Sequence, residues 1–529
     1  MTDRPLGAQI SHMLKARGVD VIFGIPGVHN IEMYRGIEEV GITHILARHE
    51  QGAGFMADGY ARASGKPGVA YVITGPGLTN ILTAAGQAYS DSVPLLVISS
   101  CLDETAARRG QLHQMIDQER AAACVFDWSH EVKSAEAVYT LVERALNEFA
   151  GERPRPKHIQ VPIALGGTLA STAPTPPVAR PKRCVATTDQ ITDAADRFKV
   201  SRRPVIILGG GAVPAAGSIT SILASTGAAV FTTYSGRGLV ADDYPLNLGA
   251  YLGRPDSADL LAQADLLLVI GTELAEVDLW RTELGHTAPV IRVDIDPVEL
   301  DHPQSDLAIL SDSAAFLTAL ASALPDEGQS DWEPATLAEL RARWRLETDA
   351  ERPGIVPVAD ALRTALPEDT MIYSDMTQFA YAAKEIWPMA RPGHWHHPMG
   401  FGTLGYALPA AVGGAIARAG APTLAIMGDS GFQYTMQELG TAVELGLPLP
   451  IFLWDNGKLG EIEASMIRAQ IAPNAVIARN PDFCALAEAY GAYSARPDTL
   501  EEMQKSVRAA LDADRPTLIH VRAGIADGL

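Results

Sequence analysis

The sequence predicts an α/β protein of three doubly wound units, each a parallel sheet flanked by helices. Two features point to it. Short, apolar, β-rich runs recur along the 529 residues and stop at Gly or Pro, as strands buried on both faces of a parallel sheet do. Two stretches of different composition, one Pro-rich and one charged, part these runs into thirds.

In the first unit, 1–170, Val21-Ile22-Phe23-Gly24 is a strand that ends in the turn Ile25-Pro26-Gly27. Thr43 to Ala47, Leu95 to Ser99 and His158 to Val161 are further strands, and Val69 to Ile73 ends at Thr74-Gly75-Pro76-Gly77. The Pro-rich run from Thr172 to Lys182 makes 171–188 a linker. In the second unit, 189–328, Pro204 to Leu208 enters Gly209-Gly210-Gly211, Leu266 to Ile270 enters Gly271-Thr272, and Val290 to Val293 enters Asp294-Ile295-Asp296-Pro297. That pattern is Rossmann-like, although a triple glycine is a weak nucleotide signal by itself. The charged residues 329–354 read as a helical second linker, and 355–529 form the third unit.

Apolar residues make up 47% of the chain, enough for several cores. The net charge of −21 is spread along the sequence, which excludes a nucleic-acid footprint and reads as a solvated acidic surface. Cys101, Cys124, Cys184 and Cys484 show no paired spacing, as reduced thiols would, and make no zinc pattern. Met1 to Gln9 carries no apolar signal core, and no run reaches the length of a membrane span. The expected setting is cytoplasmic, with no membrane or nucleic-acid partner.

The densest chemistry lies between Gly428 and Lys458. Gly428-Asp429-Ser430-Gly431 is followed by an amphipathic helix, an apolar strand from Leu449 to Trp454, and Asp455-Asn456-Gly457-Lys458. A carboxylate at one strand end and a carboxamide at the next supply hard oxygen ligands, which suit octahedral Mg²⁺ on a diphosphate. Gly428 and Gly431 let the backbone approach that diphosphate. A second motif, Arg48-His49-Glu50-Gln51-Gly52-Ala53-Gly54-Phe55-Met56-Ala57-Asp58-Gly59-Tyr60-Ala61-Arg62, opens a helix with small residues on one face.

Together the two motifs resemble those of thiamine diphosphate enzymes in the acetolactate synthase and pyruvate decarboxylase superfamily. The resemblance covers nearly the whole chain. The family's metal motif is Gly-Asp-Gly followed by Asn-Asn; here Ser430 replaces the last Gly and Asp455 the first Asn. The resemblance implies the thiamine diphosphate-binding fold, with pyrimidine-binding, central and diphosphate-binding domains in that order. It makes Asp429, Asn456 and the Lys458 carbonyl the Mg²⁺ ligands, and Glu50 the acid that activates the aminopyrimidine. Met399 to Pro409 is similar to the segment that bends the cofactor, with Leu404 as the wedge and Gly402 as a carbonyl acceptor. Pro26, Thr74, Gly77 and Asn80 fall in loops that border the cofactor in relatives.

Leu112-His113-Gln114-Met115 matches the loop where pyruvate decarboxylases carry paired histidines and acetolactate synthases carry Phe-Gln. His113 and Gln114 make it a hybrid. Val28 stands where pyruvate decarboxylases place an Asp, with His29 beside it. Both histidines are catalytic candidates as proton carriers. His394, His396 and His397 lack acid or Cys partners at ligand spacing and read as structural or pocket-lining.

Acetolactate synthases carry Ile-Pro-Lys-Asp where this chain has Val161-Pro162-Ile163-Ala164, and a Phe-Asp-Asp-Arg for FAD where it has Glu273 to Asp278. Their Trp-bearing segment is replaced by Leu459 to Met466. These departures argue against acetolactate synthesis and against FAD. Gly-Ile-Pro-Gly-Val-His at 24–29, Gly-Thr-Glu-Leu-Ala-Glu at 271–276 and Gly-Glu-Ile at 460–462 look like 2-ketoarginine decarboxylases. The implied substrate is a small 2-oxo acid with a cationic tail, 5-guanidino-2-oxopentanoate being favoured. Glu461, Glu276 and Asp278 are the candidate carboxylates for the guanidinium. An acetolactate synthase-type carboligase is the alternative. Relatives place the cofactor between two subunits, so a homodimer at minimum, and a homotetramer as is common among them, is the implied assembly.

Overall fold

The structure, a computed structural model, describes residues 3–103 and 110–527. It contains three sheets of six strands each, all parallel, as the sequence predicted. The N-terminal sheet has the spatial order Thr43–Leu46, Val21–Gly24, Gly68–Val72, Leu95–Cys101, Lys157–Pro162, Trp128–Glu131. The central sheet runs Asn247–Gly249, Ala229–Thr232, Pro204–Leu208, Leu266–Ile270, Val290–Asp294, Leu307–Leu310. The C-terminal sheet runs Trp395–His396, Met371–Ser374, Thr423–Gly428, Pro450–Asp455, Thr517–Arg522, Tyr493–Ala495. A small antiparallel pair, Arg4–Pro5 with Leu169–Ala170, ties the start of the first domain to its end.

Each order reverses where the chain crosses from one side of its sheet to the other. The reversal falls between Val21–Gly24 and Gly68–Val72 in the first sheet, and between Met371–Ser374 and Thr423–Gly428 in the last. In such sheets ligands settle in the crevice beyond the carboxyl ends of the strands at this switch. The loops that leave there begin at Ile25, Ile73, Asp375 and Asp429, so they include most of the candidate residues.

Packing follows the pleat. Met371, Tyr373, Ala425, Met427, Ile451 and Leu453 of the C-terminal sheet face one core, shared with Phe23, Ala70, Val72 and Val97 of the N-terminal sheet. Ile372, Leu424, Ile426, Phe452 and Trp454, one residue out of step, face a second core shared with Val205, Ile207 and Val269 of the central sheet. The charged linker is a helix, Pro334–Glu351, but no loose spacer. Its Trp344 is fully buried against Phe231 and Tyr251, and its indole N–H donates to Asp256 Oδ1 at 2.7 Å.

Helix Glu50–Ser64 of the first domain lies directly on helix Ala407–Ala417 of the third. A Cβ at Gly59 would overlap the Ala410 carbonyl, and one at Gly413 the Met56 carbonyl. The contact is locked by Tyr373 Oη donating to the Gly59 carbonyl (2.8 Å) and Tyr406 Oη donating to Asp58 Oδ1 (2.7 Å). Gly413→Val is therefore expected to destabilise the protein by about 2 kcal/mol through overpacking, read as a fall in thermal midpoint. Gly217→Ala is the control: helical, with nothing within 4 Å of the new Cβ, it should leave the midpoint unchanged or raise it.

Candidate active site

Glu50 is the first residue of its helix and only 8% exposed. Asn80 Nδ2, from the helix Pro76–Ser90, donates to its Oε2 at 2.8 Å. Gly77 lies on the same helix, and a Cβ there would come within 3.2 Å of Glu50 Oε1. The glycine thus keeps free the space in front of the second carboxylate oxygen. Thr74, one strand end away, donates its hydroxyl to Gln118 Oε1 (2.7 Å), which also accepts from the Gly75 N–H (3.0 Å). Gln118 fixes this turn, and its role went unread in the sequence.

His29 and His113 come together. Their Nδ1 atoms are 3.2 Å apart and the rings meet edge-on, centroids 4.9 Å apart. One nitrogen must donate and the other accept, so the pair holds one proton between them. Burial, then the neighbouring His113, lowers the pKa of His29. His29 is carried by a turn in which Asn30 Oδ1 accepts from the Gly27 N–H at 2.7 Å. His113 holds a left-handed backbone conformation (φ 62°). Gln114 Oε1 accepts from the Gln111 N–H at 3.2 Å, while Pro26 and Val28 are exposed.

In the C-terminal domain, Asp429 opens a short helix directly after the extended Gly428. Asn480 Nδ2 donates both to Asp429 Oδ2 (2.6 Å) and to Asp455 Oδ1 (2.9 Å). Asp455 Oδ2 pairs with His520 Nε2 at 2.8 Å. The His520 contact holds Asp455 below the usual carboxylate range, whereas burial, with Asp455 adding to it, raises Asp429. Asn456 Oδ1 accepts from the Lys458 N–H (3.2 Å), and its Nδ2 donates to Gln378 Oε1 (3.1 Å). Lys458 sends its ammonium to Glu463 at 2.6 Å. This is a set of hard oxygens with two carboxylates and one histidine between them, so the donor set fits a divalent cation. Asn480 and His520 are distant in sequence and had not been singled out.

The loop Met399 to Gly405 is held by Asp375, a buried acid that follows the strand Met371–Ser374. Asp375 accepts from the Met376 N–H and the Gly405 N–H, each at 2.8 Å, and burial pushes its pKa up to about 7. A Cβ at Gly431 would stand 2.8 Å from its Oδ2, so that glycine leaves room for the acid beside Ser430. Gly402 takes φ 67°. Leu404 is only partly buried, whereas Tyr406 and Leu408 after it are fully buried. A leucine of the core would be sealed; this one keeps an open face. Gly402 and Leu404, together with Glu50 and Gly77, are thus the residues that would border a bound cofactor.

Glu461 accepts from Arg352 Nη2 (3.3 Å) and Gln378 Nε2 (3.5 Å), with Arg468 at 3.7 Å. Gln378 links it to Asn456 through two hydrogen bonds. Asp278 accepts from the Tyr234 N–H at 3.2 Å, and burial raises its pKa to about 6. Glu276 is exposed at the start of a short helix and is not drawn to this cluster.

The chain matches known families along most of its length. The thiamine pyrophosphate enzyme N-terminal TPP binding domain matches residues 4–121, the central domain 191–320 and the C-terminal TPP binding domain 375–521. A Pseudomonas aeruginosa protein named as a probable 2-ketoarginine decarboxylase is 43% identical over 523 residues, covering 98% of this chain and 93% of that protein. The acetolactate synthase isozyme 2 large subunit of Escherichia coli is 31% identical over 532 residues, covering 97% and 95%. A probable acetolactate synthase large subunit of Methanocaldococcus jannaschii is 30% identical over 543 residues, covering 98% and 91%.

Asp375 has a pH signature. Its folded pKa of about 7 lies above its ordinary 3.8, so between those values the unfolded chain releases a proton that the folded chain keeps. Stability from this group therefore falls as pH rises through that window. The thermal midpoint advantage of the native protein over Asp375→Asn should be larger at pH 5 than at pH 7.5, shrinking steadily between them. A difference that does not change with pH would contradict the assignment.

Proposed function

The chain belongs to the thiamine pyrophosphate enzyme family, and we propose that it is a Mg²⁺-dependent, non-oxidative decarboxylase of a 2-oxo acid with a cationic tail, 5-guanidino-2-oxopentanoate above others. The observation that carries the substrate reading is Glu461. Its carboxylate already engages guanidinium groups, and it lies beside the Gln378–Asn456 end of the metal motif. Arg468, exposed and at 3.7 Å, is the looser of its two arginines, and a substrate guanidinium would take its place. The similarity to the Pseudomonas protein supports the same substrate class.

Thiamine diphosphate, when bound, supplies the carbanion that adds to a 2-oxo acid carbonyl and takes up the electron pair left by CO₂. The chain's residues do the rest. Asp429, Asn456 and the Lys458 carbonyl would hold Mg²⁺ on the diphosphate, with Gly428, Ser430 and Gly431 close to its oxygens. Glu50, fixed by Asn80, holds or gives a proton at its Oε1 toward the aminopyrimidine. Leu404, with its open face, and the Gly402 carbonyl would border the cofactor. The His29–His113 pair, sharing one proton, returns a proton to the carbon that loses CO₂, with Gln114 on the same loop. The FAD of acetolactate synthases is disfavoured. Glu273, Asp296 and Glu299 gather on Arg153 at 2.6–3.3 Å beside the mouth of the central sheet and would repel a diphosphate.

Apolar Leu112 and Ile116 of the N-terminal loops and Phe401, Ile462 and Ile477 of the C-terminal domain are exposed around these candidate residues. Such a face calls for cover by a second copy, so Glu50 of one subunit would serve with Asp429 of the other. The acetolactate synthase relatives keep a carboligase as the second reading.

Assays with thiamine diphosphate and Mg²⁺ are expected to show CO₂ and aldehyde from 5-guanidino-2-oxopentanoate, with activity lost to EDTA and restored by Mg²⁺. Glu50→Gln should lower kcat by about 10²-fold or more while cofactor binding persists. Glu461→Gln should raise KM about tenfold for the guanidino substrate alone. Acetolactate from pyruvate, with no CO₂ from the guanidino acid, would overturn the decarboxylase in favour of the carboligase.

A further inference from the structure

His29 and His113 stand on two separate loops, and each loop is fixed. The turn at His29 is held by Asn30, whose Oδ1 accepts from the Gly27 N–H at 2.7 Å and whose Nδ2 donates to the Ile25 carbonyl at 3.2 Å. His113 keeps a left-handed backbone at φ 62°, which residues with a side chain rarely adopt. Its carbonyl lies against the Gly75 backbone, where a Cβ would come within 2.5 Å of the oxygen. Two imidazoles held in this way are preorganised toward each other.

Their spacing suits more than a shared proton. The Nδ1 atoms are 3.2 Å apart, at the upper limit for a hydrogen bond donated by N–H. Two imidazole nitrogens on one tetrahedral zinc ion, each bonded at about 2.0–2.1 Å, stand about 3.3 Å apart. The rings meet edge-on rather than stacked, at 81°. A turn of each ring about its Cβ–Cγ bond would bring both lone pairs onto one point.

The local field also favours a cation. Burial, then the neighbouring His113, lowers the pKa of His29, so its ring offers a lone pair at neutral pH. The Asp103 carboxylate acts the other way, favouring positive charge at His29. Both rings are only half-buried, so an ion in solution can reach them. Among the described residues no third His, Cys, Asp or Glu completes a cluster. Water would therefore fill the remaining positions, and the ion would exchange.

We propose that the His29–His113 pair binds a divalent cation of the zinc class through both Nδ1 atoms. The proton between the two nitrogens moves to the far Nε2 of its ring, so a neutral pair takes up the ion with no net loss of protons. Imidazole nitrogen suits zinc-class ions, whereas Mg²⁺ keeps to oxygen ligands. The effect on turnover rests on the decarboxylase chemistry proposed above: with Zn²⁺ bound, the pair cannot return a proton, and aldehyde release slows. The binding itself does not rest on it.

The test is titration calorimetry with ZnCl₂ on the holoenzyme, loaded with thiamine diphosphate and held in excess Mg²⁺. Zn²⁺ should fill a site that His29→Phe and His113→Phe each weaken by about tenfold or more, since even an outer partner of a metal ligand is worth that much. The two variants lie on separate loops, so one that folded poorly would leave the other to report. His12→Gln and His130→Gln, which alter histidines that meet Glu39 and Glu119 at the surface, should leave the site intact. The proposal is overturned by no saturable Zn²⁺ binding in excess Mg²⁺, or by Zn²⁺ binding that survives both Phe variants. Zn²⁺ that binds at the pair without slowing aldehyde release would instead sink the pair's part in proton return and leave the metal site standing.

Discussion

The C-terminal sheet is buried on both faces by different neighbours, and everything else rests on that. Odd and even residues of one strand serve two cores: Met371 and Tyr373 look to the N-terminal domain, Ile372 to the central domain. A slip of one residue would exchange the two faces, so the register of this sheet sets the placement of all three domains at once. The helix contact at Gly59 and Gly413 removes the remaining freedom, because two backbones in contact cannot slide without a clash. The switch-point loops of the first and last sheets inherit their positions from this frame.

On that frame the acids divide into two kinds. Asp375 and Glu438 are positioning groups. Each is buried and accepts backbone N–H hydrogens, and burial lifts each pKa to about 7. Glu438 accepts from the N–H groups of Arg48 and His49, so a C-terminal acid anchors the turn that leads into Glu50. Asp429 and Asp455 are different: they are linked by one neutral amide, that of Asn480, and Asp455 is also bonded to His520. The pair has the negative excess that a divalent cation would relieve.

Much of this was legible in the sequence, for a physical reason. Central strands of a parallel sheet must be apolar throughout and must end in tight turns, and Val21–Gly24, Pro204–Leu208 and Leu266–Ile270 run between the residues expected. Edge strands escape that rule. Trp128–Glu131 is short, with Trp128 its one apolar residue, and Tyr493–Ala495 has only three residues, so neither stood out. Glu50, Asp429 and Asn456 stand out in the sequence because each ends or follows a strand inside a compact motif. Asn480, His520 and Gln118 act through partners 25 to 65 residues away, and no local pattern marks them. Arg352 meets Glu461 across 109 residues, from the end of a helix that composition marks only as a linker. The same holds for Trp344, whose burial turns that linker into core.

In the proposed centre, an N-terminal acid of one chain meets the C-terminal metal motif of another. Subunit mixing tests it directly. Glu50→Gln and Asp429→Asn, each inactive alone, are unfolded together, refolded and assayed. If each centre takes Glu50 from one chain and Asp429 from its partner, hybrid dimers contain one intact centre, and activity should return to about a quarter of the native level. If both residues serve from the same chain, every centre in a hybrid keeps one defect, and mixing would restore nothing.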